Sequence, residues 1–230
     1  MKKQYPQATY QFVEVNPSNR IDFLKLEKID MECGSTTNTA TRRNEVNFST
    51  PFYYASIVAL KLKSNPITSI ADVDENSKVI YTEKTTTEQA LAGASRVFEN
   101  KSTRNVYQRV IGKTYDQSFD LLTSGAGDFF AADDILLFSL KEKSKNPENY
   151  VFLKDKFSIE PYGIMTRKSD SWLTTIVDKT IIGMMRNGEF NELYDKWFMK
   201  PISPSNKALN IPMSRLLKDN VRMPSNIVGN

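Results

Sequence analysis

The sequence predicts an α/β fold in two lobes, the second inserted into the first. Segments of strand and helix pattern alternate along most of the 230 residues, the order that builds mainly parallel sheets. Two extended stretches, near residues 52–56 and 160–165, bracket a middle block of such alternations. A chain of this length can bury one large core or two small ones. Its content, 40% hydrophobic and 25% charged, is that of an ordinary folded protein rather than a disordered one.

Taken in order, TYQFVEV (9–15) reads as a strand, and Asn16-Pro17 supplies a helix start with proline at its first position. Helical spacing then runs through Ile21, Leu24 and Ile29, and IDMEC is a short strand. Residues 39–46 read as helix, and FSTPFYY is extended because proline disfavours helix in the residue before it. IVALKL and VIYTE are strands, and TTTEQALAGASRVFEN is a helix opening on hydroxyls and an acid. NVYQRV, YDQSFDLLTSG, GDFFAADD, ILLFSLKEKSKN and YVFLKD continue as strand, helix, strand, helix, strand, and EPYGIMTRK is the last strand. A long amphipathic segment spans 169–198 with a break near Gly188, and a tail rich in proline and asparagine carries one short helix near 213–218.

Composition excludes several chemistries. Histidine is absent, which removes Ser-His-Asp and Cys-His catalysis and His-ligated zinc. Cys33 is the single cysteine, so there is neither an internal disulfide nor a multi-cysteine metal cage, and it is expected as a small buried side chain. No metal and no cofactor is predicted. The formal charge of +4 is spread along the chain without a Lys/Arg stripe, so no nucleic-acid partner is expected. No apolar run approaches the roughly 20 residues of a membrane span. MKKQYPQATY has no apolar stretch behind its lysines, so no export signal is legible in it.

The segments ECGSTTN with Arg42 following, Phe48-Ser49, TTTEQAL, SFDLLTSG, AADD, YGIMTRK and NGEFNELYDKWFMKPI occur together and in this order. In that set the chain resembles the bacterial periplasmic amino-acid-binding proteins of ABC importers, most nearly the glutamate/aspartate-binding branch of family 3 solute-binding proteins. The resemblance implies the type II periplasmic-binding-protein-like fold: two mainly parallel sheets joined by two hinge strands. Lobe 1 is then 1–53 plus 165–230, and lobe 2 is 54–164. It also implies an extracytoplasmic location, an amino acid as ligand and a membrane permease as partner.

Residue by residue, the resemblance places Ser35 and Thr37 in a loop at the cleft edge. It gives Arg42 a two-pronged salt bridge to the ligand's α-carboxylate, a task suited to a planar guanidinium. On spacing alone, the same residues read as an exposed helical arginine with capping hydroxyls, and Arg43 as a solvated neighbour. Thr86 and Thr87 open a helix whose amides and hydroxyls would close on that carboxylate, or simply cap the helix. Asp133 matches the aspartate that takes the α-ammonium in relatives; by position it also reads as a cap, as does Asp134. Phe52, Tyr53 and Tyr54 read as hinge packing, and residues 195–198 as core packing of a C-terminal helix.

Three departures from the family bear on these expectations. The strand, loop and helix that precede TYQFVEV in relatives have no counterpart here. The first lobe is therefore expected to be incomplete at its N-terminal end, finished by a longer reading frame or by a segment from elsewhere, such as one swapped within a dimer. Glutamate-binding relatives carry histidine where Tyr115 stands and arginine where Val58 stands; Tyr115 still offers a hydrogen bond for reading a side chain. Thr85 stands where relatives have a glycine, and would be strained if that position required positive φ. A competing function is a same-fold enzyme of the cyclohexadienyl dehydratase type, with Glu83 and Asp133 as its candidate acids.

Overall fold

Backbone proximity divides the chain into two units in a computed structural model that describes residues 5–98, 107–203 and 206–227. Unit 1 takes the chain up to Val15, Arg20–Tyr54 and everything from Pro161 on; unit 2 takes Asn16–Asn19 and Ala55–Glu160. The expected boundaries thus shift by a few residues, and a short strap, Asn16–Asn19, joins the second unit although both its flanks belong to the first.

Unit 2 is built on five strands: β4 (Ile57–Leu62), β5 (Lys78–Thr82), β6 (Gln108–Gly112), β7 (Phe129–Asp133) and β8 (Tyr150–Phe152), ordered β6-β5-β7-β4-β8. β5 runs parallel to β6 and β7, while β4 is antiparallel to β7 and β8. The near-continuous apolar runs IVALKL and FFAAD follow from burial on both faces. Alternate residues serve opposite sides: Val58, Leu60, Ile80, Phe130 and Ala132 form one core, and Ala59, Val79, Phe129 and Ala131 the other. Helices α4 (Tyr115–Thr123) and α5 (Asp134–Lys143) cover the first through Phe119, Leu122 and Leu137; α3 (Thr87–Phe98) covers the second through Leu91. Val58 is therefore a core residue.

Unit 1 has a smaller sheet of β1 (Met31–Glu32), β2 (Val46–Phe48) and β10 (Met165–Arg167) in the order β1-β10-β2, with both pairings antiparallel. The expectation of two mainly parallel sheets is corrected: unit 2 is mixed and the described sheet of unit 1 is antiparallel. The returning strand β10 lies in its middle and runs against both neighbours. Leu24 of α1 (Arg20–Lys25) packs with Val46, Phe48 and Met165 in one cluster. Leu173, Val177, Ile181 and Met185 of α6 (Ser171–Asn187) gather Met31 and Ile164 in another. A two-stranded ladder pairs β3 (Tyr53–Ala55) with β9 (Glu160–Tyr162), the stretches where the chain passes between units.

Several local expectations change. Residues 9–15 form no ladder, and Tyr10, Phe12 and Val13 are exposed, Phe12 at 90%. The alternating pattern is present, but a strand needs a partner, and among the described residues β1 pairs with β10 alone. The helix expected from Asn16 begins at Arg20, because the Asn16 and Asn19 side chains accept main-chain amides in a local turn that competes with helix. The helix expected over 39–46 contracts to α2 (Ala40–Arg43). Gly188 (φ 89°) separates α6 from α7 (Glu189–Tyr194), and a π-helical turn, Asp195–Met199, follows. Its Phe198 stacks on Tyr53 at 5.4 Å and on Tyr194 at 4.3 Å, which anchors the crossing strand β3 as hinge packing should. Trp197 is exposed rather than in the core. The tail carries the last helix, α8 (Arg215–Arg222), whose Asn220 donates to the Pro51 carbonyl at 2.7 Å. Glu99 and Asn100, at the end of the expected third helix, and Asn105 and Val106 lie outside the described residues. Among the described residues no helix is long and apolar enough to cross a membrane.

Gly112 ends β6 under α4, where an added Cβ would lie 2.8 Å from the Ser118 main-chain nitrogen. Gly112→Ala should therefore cost about 1–3 kcal/mol by overpacking. Gly93→Ala, in an open helical position, should gain about 0.5–1 kcal/mol. Urea denaturation of the two variants tests this, and equal midpoints would contradict it.

Candidate functional site

Unit 1 contributes the loop that joins β1 to α2. Thr36, Thr37 and Asn38 are buried, at 0%, 4% and 3% exposure. The loop is pinned by main-chain bonds, Asn38 N–H to the Pro161 carbonyl at 2.8 Å and Gly163 N–H to the Thr36 carbonyl at 3.2 Å. Thr39 caps α2 by accepting from the Arg42 amide at 3.2 Å. Arg42 is half-buried, and its Nη1 donates to the Thr37 carbonyl at 3.0 Å. Arg43 is also half-buried and donates to Asn38 Oδ1 at 3.0 Å, so the solvated position expected for it is corrected. Ser35 and Thr37 thus lie on one well-braced loop, to which Arg42 of α2 is bonded.

Beside them lies a charge that sequence reading did not single out. Arg20 is 4% exposed; its Nη1 donates to the Ser35 carbonyl at 3.3 Å, while its buried Nε has no hydrogen-bond partner. An arginine opening an amphipathic helix reads as surface, and only its proximity to the loop reveals it. Glu32, 5% exposed, takes the Thr36 hydroxyl at 2.9 Å. Burial pushes the Glu32 carboxyl above the usual range, against the opposing pull of Arg20, the Thr36 hydroxyl, the Gly34 amide and Arg42. Cys33, expected in the core, is exposed at the end of the edge strand β1.

In unit 2 the parallel run β6-β5-β7 brings the carboxyl ends of three strands to one sheet edge. Tyr115, Thr86, Thr87 and Asp133 all follow or end those strands, where ligands of α/β sheets bind. Thr87 is buried at the start of α3, but the Thr86 hydroxyl is already engaged, donating to Glu160 Oε2 at 2.7 Å. Asp133 is 6% exposed at the N-cap position of α5, yet its side chain makes no capping bond. The cap reading therefore fails for Asp133. Asp134 accepts from the Ile135 amide at 2.8 Å, and burial raises its pKa. Tyr115 is half-buried at the start of α4, packed against the core that contains Val58. The left-handed residue of the β5–α3 turn is Lys84, at φ 55°, and not Thr85, whose hydroxyl donates to the Thr82 carbonyl at 2.7 Å. Glu83 accepts the Ser18 hydroxyl at 2.6 Å, which gives this candidate acid a structural partner.

Two α/β units, crossed by a paired pair of strands and each offering polar loops at strand ends, define a protein of the solute-binding class. The description of bacterial extracellular solute-binding proteins, family 3, matches residues 2–200, and the chain belongs to that family. It is 34% identical over 222 residues to an L-glutamate/L-aspartate-binding protein of Pseudomonas aeruginosa, covering 96% of this chain and 71% of the relative. It is 31% identical over 224 residues to the glutamate/aspartate import solute-binding protein of Escherichia coli, covering 97% and 72%. Among solved structures, an ancestral arginine-binding protein bound to glutamine is similar at TM-score 0.74 and 26% identity, over 86% of this chain and 83% of that one. These relatives are binding proteins rather than enzymes, and the dehydratase alternative is not favoured.

A carboxyl whose pKa is raised by folding contributes stability that is complete below the unfolded pKa and is lost as pH rises through the folded value. Glu32→Gln should thus gain on wild type as pH climbs from about 4 to 8, whatever the offset at low pH. Urea midpoints across that range measure it; a gap independent of pH would remove Glu32 from the titration.

Proposed function

We propose that the chain captures an acidic α-amino acid outside the cytoplasm and delivers it to the permease of an ABC importer. The observation that carries this reading is Arg42: a guanidinium held at one carbonyl of a buried, braced loop, in place to meet a carboxylate. Arg20, buried beside the same loop with its Nε unpartnered, supplies a second cation suited to a second carboxylate. That supports an acidic ligand even though Val58 belongs to the core and Tyr115 carries no charge. The first-turn amides of α3 have no partner within the helix and suit the α-carboxylate, and Asp133 suits the α-ammonium. Closure about the crossing strands is stabilised only by the ligand's preference for the closed state.

Calorimetric titration across the amino acids tests the reading, with L-glutamate and L-aspartate expected to bind. Arg42→Ala should cost about 2–5 kcal/mol of affinity, as removal of one partner from a desolvated charged pair does. Asp133→Asn should weaken α-amino acids more than their deaminated analogues. Unchanged affinity in the first variant, or equal losses in the second, would take that residue out of the site. We also infer that the unladdered residues 9–15, with Tyr10 and Phe12 exposed, pair with a second copy. Sedimentation velocity should show a dimer that Phe12→Lys weakens; a monomer at micromolar concentration would refute it.

A further inference from the structure

Glu160 opens β9 and is 4% exposed, a buried acid to which the functional reading assigns no task. Its two oxygens are divided between two hydroxyls of the same unit. Oε2 accepts from Thr86 Oγ1 at 2.7 Å, and Oε1 accepts from Ser158 Oγ. Burying a carboxylate is costly unless its lone pairs are met, and charge-assisted bonds of this kind are stronger and more directional than neutral ones. The acid therefore holds the side chain of Thr86, the residue that immediately precedes α3.

That turn has reason to need an external brace. It runs from β5 to α3 through Lys84 in the left-handed region, a backbone state that non-glycine residues hold only where the surroundings impose it. Thr85 fixes one end by donating to the Thr82 carbonyl at 2.7 Å, and the Ala90 amide returns to the Thr86 carbonyl at 3.1 Å as the helix begins. The Thr86 hydroxyl gives its one hydrogen to Glu160, which fixes the side chain at the threshold of α3, where the first-turn amides have no acceptor within the helix.

We propose that Glu160 is a positioning residue: by holding the Thr86 hydroxyl, its carboxylate fixes the turn that aims the Thr86 and Thr87 amides at the ligand's α-carboxylate. The inference rests on the amino-acid-binding reading and adds to it a residue that does not touch the ligand. Because Glu160 is also the last residue of unit 2 before the chain crosses, the turn that grips the ligand and the crossing strand share one carboxylate.

The test uses the full chain with Glu160→Ala, Glu160→Gln, Thr86→Val and the double variant Thr86→Val/Glu160→Ala. Calorimetry should show L-glutamate bound about tenfold more weakly by Glu160→Ala and by Thr86→Val, the size expected for a hydrogen bond to a charged group. The double variant should be no weaker than either single one, and Glu160→Gln, which retains an acceptor oxygen, should recover most of the loss. The preference for L-glutamate over its α-carboxamide should fall by the same factor in Glu160→Ala, an effect that general loosening of the unit does not produce. Additive losses, or equal losses for both ligands, overturn the proposal. Amide hydrogen exchange at 86–88 in ligand-free protein judges the brace separately. Faster exchange in Glu160→Ala, restored in Glu160→Gln, supports it, and unchanged exchange overturns it. If the wild type binds no amino acid, the functional reading fails while this exchange result still decides whether Glu160 holds the turn.

Discussion

One extended run, residues 160–167, organises the first unit. It begins as β9, which pairs with β3, and continues as β10, the centre of the three-stranded sheet. Along the way it receives the Asn38 amide on the Pro161 carbonyl and sends the Gly163 amide to the Thr36 carbonyl. Ser49 meets it twice, through its amide to the Ile164 carbonyl and through its hydroxyl from the Ile164 amide, each at 3.0 Å. The Arg42 loop therefore takes its shape from a strand far away in sequence. Gly163 is the point of closest approach: a Cβ there would lie 3.0 Å from the Ser49 carbonyl oxygen.

Charge is handled differently in the two units. Unit 1 sets cations against main-chain carbonyls, Arg20 on Ser35 and Arg42 on Thr37, with Glu32 buried among them. Unit 2 sets acids against hydroxyls, Glu160 with Thr86 and Glu83 with Ser18.

What could be read from sequence follows from how local each signal is. β4, β7 and α4 were legible because burial writes directly into apolar runs and helical spacing. Residues 9–15 carry the strand pattern equally well, but pairing is a long-range event that the pattern does not contain. Asn16 and Asn19 diverted a helix start through side-chain acceptors, a competition that periodicity does not record. Arg42 and Asp133 were singled out through family resemblance, whereas Arg20 was not, because nothing near it in sequence distinguishes a buried arginine from a solvated one. Spacing from the threonine pair does not reveal which residue of the turn has positive φ; it is Lys84, so the condition under which Thr85 would be strained is not met.

The exposure of Cys33 has a practical side. It is the chain's only thiol and stands one residue ahead of the Gly34–Ser35 stretch of the Arg42 loop. Desolvation of the sulfur, and then the neighbouring Glu32, raise its pKa, so it is mostly protonated and slow to react at neutral pH. Mildly alkaline maleimide chemistry can therefore place a single environment-sensitive dye beside the arginine-braced loop without any engineered cysteine, turning the native chain into an optical sensor for whatever occupies it.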